Sequence, residues 1–467
     1  MTKAQELISN RCFNEIEIGD SASIDRRLTQ KDIQLFAVMS GDVNPAHMDE
    51  DYAKDSMFHE VIAHGLWGGS LISTVLGTVL PGPGTIYLGQ SLRFKRPVVL
   101  GDVLTVKVTA KEKDHENNKV VFDCLCINQQ DKEVISGEAE VIAPVEKIER
   151  TKVTLPHVRL AERGQLRELF DAANPLEPLP TAVVHPCSEY ALRGAIEAAE
   201  ANLIEPFLIG PKDKILSTAE EYELDIKDLP IFNVEHSHAA AEKAVEMTRA
   251  GKAEALMKGS LHTDELMSAV IHKERGIRSE RRVSHVFAFD VPTYPRPLLV
   301  TDAAINISPS LEHMRDIVQN AIDLAQSLKI ETPKVALLSA VETITKDIDS
   351  TLMAAALCKM ADRGQITGGI LDGPLAFDNA VSIAASEAKG IVSPVAGQAD
   401  ILVAPDLEAA NILAKQLMYL ADAQGSGLVM GARIPIILTS RADSAMVRMA
   451  SCSLATLYAN HKKRLLA

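Results

Sequence analysis

The sequence predicts two folds in succession, an α+β unit over 1–150 and an α/β unit with mostly parallel sheets over 160–467. Three observations carry this. In the first third, a long apolar helical stretch is followed by a meander of β-rich runs. A charged segment with several prolines, 145–178, then breaks the pattern. From Thr181 onward, short apolar strands alternate with helical stretches rich in Ala, Glu and Leu, as parallel sheets require. At this length the α/β part should divide into two lobes.

The elements follow in order. Thr29 with Asp32 three residues on opens a short helix with a capping-box pattern. Val61–Leu80 is apolar enough to be tested as a membrane span. It carries His64, Ser70, Ser73, Thr74 and Thr78 as well as several glycines, so a helix buried by a sheet fits better. Strands are expected at Thr85–Lys95, Val103–Lys111, Val120–Asn128 and Glu133–Ile142, separated by Asp- and Asn-rich turns. Segment 145–178 reads as linker plus the first helix of the second unit, with the boundary near 150. Strands of the second unit are expected at Thr181–His185, Pro206–Ile209, Leu256–Lys258, Val283–Phe289, Leu298–Thr301, Lys334–Ser339, Gly369–Asp372, Ile401–Ala404 and Pro435–Thr439.

Composition narrows the function. A net charge of −15 makes nucleic acid and anionic membranes poor partners. The six cysteines are scattered. Cys124 and Cys126 point to one side of a strand, but no second pair follows at zinc spacing, so they read as buried small hydrophobes in a reducing cytoplasm. The N-terminal residues lack the apolar core of a signal peptide.

Ser40-Gly41-Asp42-Val43-Asn44-Pro45-Ala46-His47 is the most informative run. Gly, Asn and Pro bend the chain, so Asp42 and His47 sit on a loop that can aim both side chains at one point. A carboxylate and an imidazole converging on one water make a general acid/base pair. The same residue types also make an Asx-turn followed by a surface histidine. Further on, Gly425-Ser426-Gly427-Leu428-Val429-Met430-Gly431 nearly spells a dinucleotide fingerprint, but its third glycine is one place late and a helix precedes it, which argues against nicotinamide binding.

Residues 36–53 resemble the signature of the MaoC-like, R-specific enoyl-CoA hydratases, through the Ser-Gly-Asp, the Asn-Pro, the His and Ala53. The resemblance implies a hot-dog fold in which Asp42 and His47 activate a water that adds to a 2-enoyl-CoA, with Asn44 beside the substrate. It also implies that in Val61-Ile62-Ala63-His64-Gly65-Leu66 the Gly65 N–H polarises the thioester carbonyl. A helix N-terminus does offer such unpaired donors. Leu92-Arg93-Phe94-Lys95-Arg96-Pro97-Val98 resembles a strand and turn of the same hydratases.

Residues 160–467 resemble the phosphate acetyl/butyryltransferases, two α/β lobes around a cleft. The likeness rests on Met257-Lys258-Gly259-Ser260, on Arg278, on Arg281-Arg282-Val283-Ser284-His285, on Thr301-Asp302-Ala303-Ala304-Ile305-Asn306, on Leu371-Asp372-Gly373-Pro374 and on Thr439-Ser440-Arg441-Ala442-Asp443. It implies that acyl-CoA and phosphate exchange to acyl phosphate and CoA. Ser440 and Arg441 would hold phosphate, as a guanidinium fork suits it. Lys258, Gly259, Arg278, Ser284, Asn306 and Asp372 would bind substrate. Asp443 would take the thiol proton or, equally, cap the following helix.

The expected whole is a cytoplasmic enzyme with two activities and no tightly bound cofactor or metal, using coenzyme A thioesters and phosphate as substrates. Homo-oligomers are expected, because a lone sheet around one helix leaves an open edge. The rival expectation keeps only the transferase active, with the hot-dog unit as a thioester-binding module.

Overall fold

In a computed structural model, residues 7–155, 158, 165–438 and 444–466 are described. The chain divides into two compact units, Met1–Leu160 and Ala161–Ala467.

The first unit is a five-stranded antiparallel sheet curled on one helix. Its strands are β2 (Ser21–Arg27), β3 (Ile86–Phe94), β4 (Val103–Asp114), β5 (Lys119–Ile127) and β6 (Glu133–Ile142), in the order β2-β4-β5-β6-β3. A small ribbon of β1 (Leu7–Ser9) and β7 (Glu149–Thr151) pairs the two ends of the unit. Along β4 and β5 buried and exposed residues alternate, so Val106, Val108, Val120 and Phe122 face one core. The apolar stretch of the sequence is a helix over Gly65–Thr78 that buries Ile72, Val75 and Leu76 in that core. Gly68 lets it approach closely, since a Cβ there would lie 2.6 Å from Ile135 Cδ1. Among the described residues no helix is long and apolar enough to cross a membrane.

Four strands fall where the sequence puts them, and β2 is an addition. Only Ala22 and Ile24 of β2 pack on the core, so its hydrophobic signal is weak. Cys124 and Cys126 are buried on β5, where burial pushes their thiols up to about 11 and about 12.

The second unit is built on one eleven-stranded sheet. Its strands are β8 (Leu179–Val184), β9 (Ile204–Gly210), β10 (Ile231–Asn233), β11 (Ala255–Lys258), β12 (Ser284–Asp290), β13 (Leu298–Thr301), β14 (Lys334–Leu338), β15 (Ile370–Leu375), β16 (Ile401–Val403), β17 (Gln424–Met430) and β18 (Ile436–Ile437). The order is β10-β9-β8-β11-β18-β17-β12-β13-β16-β14-β15. The two flanks are parallel and form the lobes. Antiparallel pairs β18–β17, β17–β12 and β12–β13 join them.

β17 carries the near-fingerprint glycines as the interior of a central strand. A Cβ on Gly425 would lie 2.3 Å from Phe289, and one on Gly427 would lie 2.7 Å from His285 Nε2. These glycines make room for neighbouring rings on β12, which explains the pattern without a dinucleotide.

Candidate active site

The helix Gln30–Ser40 is closed by Thr29 and Asp32 at its start and by Gly41 at its end. Gly41 has φ +75°, which turns the chain sharply toward Asp42. Asp42 Oδ1 accepts the Asn44 N–H at 3.2 Å, so the Asx-turn is present. Asn44 Oδ1 then accepts the Ala46 N–H at 3.1 Å and caps a one-turn helix, Pro45–Met48, that carries His47. The turn and the converging pair are therefore the same structure. Asn44 spends its side chain on this cap.

His47 Nδ1 lies 2.9 Å from the Ile62 carbonyl oxygen, which can only accept. Nδ1 therefore carries hydrogen, and in the neutral imidazole Nε2 is the free base atom. Donor atoms of Asp42, His47 and His64 all lie within 4.8 Å of one another. His64 was not expected here. A lone histidine in an apolar run looks like a core residue, and the structure does bury it to 2 % exposure. Its ring nevertheless stacks on His47 at 4.0 Å between centroids, and its Nε2 donates to the Asp42 backbone oxygen at 3.0 Å. These three side chains are also a donor set that a divalent cation could use.

A cavity of about 310 Å³ opens beside the pair, lined by His47, Phe58, Ile62, His64, Gly65 and Phe94, with Lys95 and Arg96 also on its wall. Gly65 is the first residue of the Gly65–Thr78 helix, so its N–H is one of the donors without an intrahelical acceptor. A Cβ there would come within 3.2 Å of the Phe94 ring. The cavity thus has the His47 imidazole, a helix-end donor and apolar walls, and an oxygen of the exposed Asp42 carboxylate lies within 4.8 Å of a His47 ring nitrogen.

The second unit brings together fewer of the expected residues. Lys258 ends β11 and Gly259 follows it on the C-terminal rim of the sheet, where open α/β sheets bind ligands. Gly259 is required there, since a Cβ would lie 2.4 Å from the Val184 carbonyl oxygen. β18 runs parallel to β11 with Met257 opposite Ile437, so it ends on the same rim. Ser440, Arg441 and Asp443 lie outside the described residues. Ser444 is described: its Oγ accepts the Val447 N–H at 3.3 Å and so caps the final helix. Arg278 is exposed and bridges to Ala432.

Three other expected residues lie inside the fold or far from this rim. Ser284 is fully buried and bonds Asn320 Nδ2 at 2.9 Å, so it is a core hydroxyl beneath the helix Leu311–Ser327. Asn306 is also buried. It donates to Val283 O and Asp302 and accepts from Arg282 Nε at 2.6 Å, which makes it a brace for a loop. Asp372 lies on the edge strand β15, seven strands from β11, which is on the order of 30 Å along the sheet. Its Oδ1 accepts its neighbour's Gly373 N–H. Sequence reasoning missed Asp302, whose carboxylate accepts N–H groups from His285, Ala304, Ile305 and Asn306.

The comparisons agree with both units. A family model described as "Phosphate acetyl/butaryl transferase" matches residues 235–455, and one described as "MaoC like domain" matches residues 14–125. A phosphate acetyltransferase of Rickettsia felis is 59% identical over 297 residues, which is 63% of this chain and 85% of that protein. A branched-chain phosphotransacylase structure from Enterococcus faecalis V583 is 28% identical with TM-score 0.54, covering 60% of this chain and 99% of that one. The structure of R-hydratase PhaJ1 from Pseudomonas aeruginosa is 46% identical with TM-score 0.33, over 33% of this chain and 99% of that one.

Proposed function

Because this chain belongs, through its second unit, to the phosphate acetyl/butyryl transferase family, we propose that it joins phosphate acyltransfer to hydration of a 2-enoyl-CoA by its first unit. The observation that carries the hydratase reading is Asp42 within 4.8 Å of His47, whose ring lines the cavity that Gly65 also lines.

The chemistry follows from that arrangement. A water that donates one hydrogen to the Asp42 carboxylate and the other to His47 Nε2 keeps a lone pair for attack on C3 of the enoyl group. The C–O bond forms as the pair takes one water proton. Electrons move through C2 onto the thioester oxygen, where the Gly65 N–H stabilises the enolate. The proton held by the pair then goes to C2, giving 3-hydroxyacyl-CoA. Carboxylate and imidazole share this proton as a unit. The Asp42 to Ala variant should lose about 10²–10⁴-fold in crotonyl-CoA hydration. Undiminished hydration would leave the first unit as a thioester-binding module.

In the second unit Lys258 and Gly259 lie on the rim where substrate binds, and Ser440 and Arg441 hold phosphate. Asp443 takes the proton of the CoA thiol. The thiolate then attacks the acyl carbonyl of acyl phosphate, and phosphate leaves. Ser444 Oγ accepting the Val447 N–H supports a role for Asp443 other than the cap. Phosphate-dependent CoA release from acyl-CoA tests this half.

Self-association is expected at β3. It is one of the two outer strands of its sheet and exposes Ile86, Leu88 and Phe94. A protein that stays monomeric by sedimentation at assay concentration would contradict this.

A further inference from the structure

His64 touches every group assigned to the hydration chemistry. Its Nε2–H donates to the Asp42 carbonyl oxygen at 3.0 Å. Its ring lies 4.0 Å from His47 at 38°, and Phe36 lies 4.9 Å from it at 33°. Its own carbonyl accepts the Trp67 N–H at 2.9 Å, which forms the first turn of the helix, and its peptide bond carries the Gly65 N–H.

Packing does not explain this residue. Its Nδ1 is buried with no hydrogen-bond partner, a cost that an apolar ring of similar size would avoid. The Asp42 side chain, by contrast, is exposed, and the hydrogen bond shown to its carboxylate comes from the turn's own Asn44 N–H. A carboxylate on such a loop reaches the same water as His47 only if the backbone beneath it is held. The bond from His64 holds the Asp42 carbonyl side of that backbone while Ser40 Oγ accepts the Asp42 N–H at 3.2 Å, and the His64 ring, tilted at 38°, packs against His47, whose Nδ1 is held by Ile62 O.

We propose that His64 is the positioning residue of this site, setting Asp42, His47 and the Gly65 N–H in one geometry. The inference rests on the hydratase reading. It acts through its Nε2–H and its ring and contributes no proton to the reaction. Removing the donor lets the Asp42 backbone drift, and a misplacement of about 1 Å is enough to cost about 10²-fold.

The test uses the full chain with crotonyl-CoA. His64→Phe keeps a ring against His47 and removes the donor. Its kcat should fall about 10–100-fold with KM within about twofold, and the limbs of the kcat–pH profile should not move. His64→Gln restores an N–H donor at similar reach and should recover to within about tenfold of wild type. Phosphate-dependent CoA release by the second unit should be unchanged in both.

If the wild type fails to hydrate crotonyl-CoA, the hydratase reading itself falls. If the wild type hydrates and His64→Phe keeps full kcat, the reading stands and the positioning role is overturned. A shifted pH profile in His64→Phe would overturn it too, because His64 would then take part in proton transfer. Should His64→Phe unfold the first unit, His64→Gln decides alone, since loss beyond tenfold in a folded protein contradicts a role through the donor.

Discussion

His285 shows how burial sets the behaviour of a single group. It is 2 % exposed on β12, and burial pushes its pKa down to about 4, with the Asp302 charge partly opposing. In the unfolded chain a histidine titrates near 6.5. Between those values the unfolded state binds more protons, so stability falls as pH drops from about 6.5 to about 4 and levels below that. The effect is at most about 3 kcal/mol. Denaturant titrations across this window should show the second unit weakening, and His285→Gln should flatten the slope. An equal slope in the variant would contradict the assignment. The same scale explains what could be read in advance. Asp42 and His47 were legible because Gly, Asn and Pro bend the chain locally. The burial of Ser284 and Asn306 was not legible, because polar residues near strand ends resemble ligands. Tertiary contacts show that they are internal: Asn320 of the Leu311–Ser327 helix donates to Ser284, and Asn306 donates to Val283 O and Asp302.

Strands show the limits of pattern at the level of elements. β4 and β5 alternate strongly and were legible, whereas β2 has a single branched residue packed on the core, the partly buried Ile24. β17 was hidden by its glycines, which look like a loop until Phe289 and His285 are placed against them. A glycine on β6 matters in the same way. A Cβ on Gly137 would lie 1.9 Å from the Ser91 carbonyl oxygen of β3. Backbone cannot give as a flexible side chain can, so Gly137→Ala should cost at least about 1–3 kcal/mol and loosen β3 from the sheet. Because β3 ends in Phe94 against Gly65, hydration should fall with it, while phosphate-dependent CoA release stays. Thermal unfolding together with both assays checks this. Unchanged stability would mean that β3 and β6 are spaced differently.

At the scale of the whole molecule, one hydrophobic cluster in the first unit and three in the second, with none shared among the described residues, imply two separate stabilities. Calorimetry should resolve two transitions, and the Gly137→Ala change should move only one. A single transition shifted as a whole would show that the units unfold as one. The presence of two units was legible because the strand pattern changes around the charged 145–178 segment. The order of the eleven strands was not legible. It depends on β12 meeting β17 from a distant part of the sequence, and that antiparallel pairing leaves no local mark.

The most direct measurement is the loss of crotonyl-CoA with time, taken on the wild-type chain and on Asp42→Ala, with phosphate-dependent CoA release followed in the same samples. The paired carboxylate and imidazole require rapid hydration by the wild type, a drop of at least about 10²-fold in the variant, and equal CoA release in both. Equal hydration by the two proteins would contradict the claim that this pair activates the water.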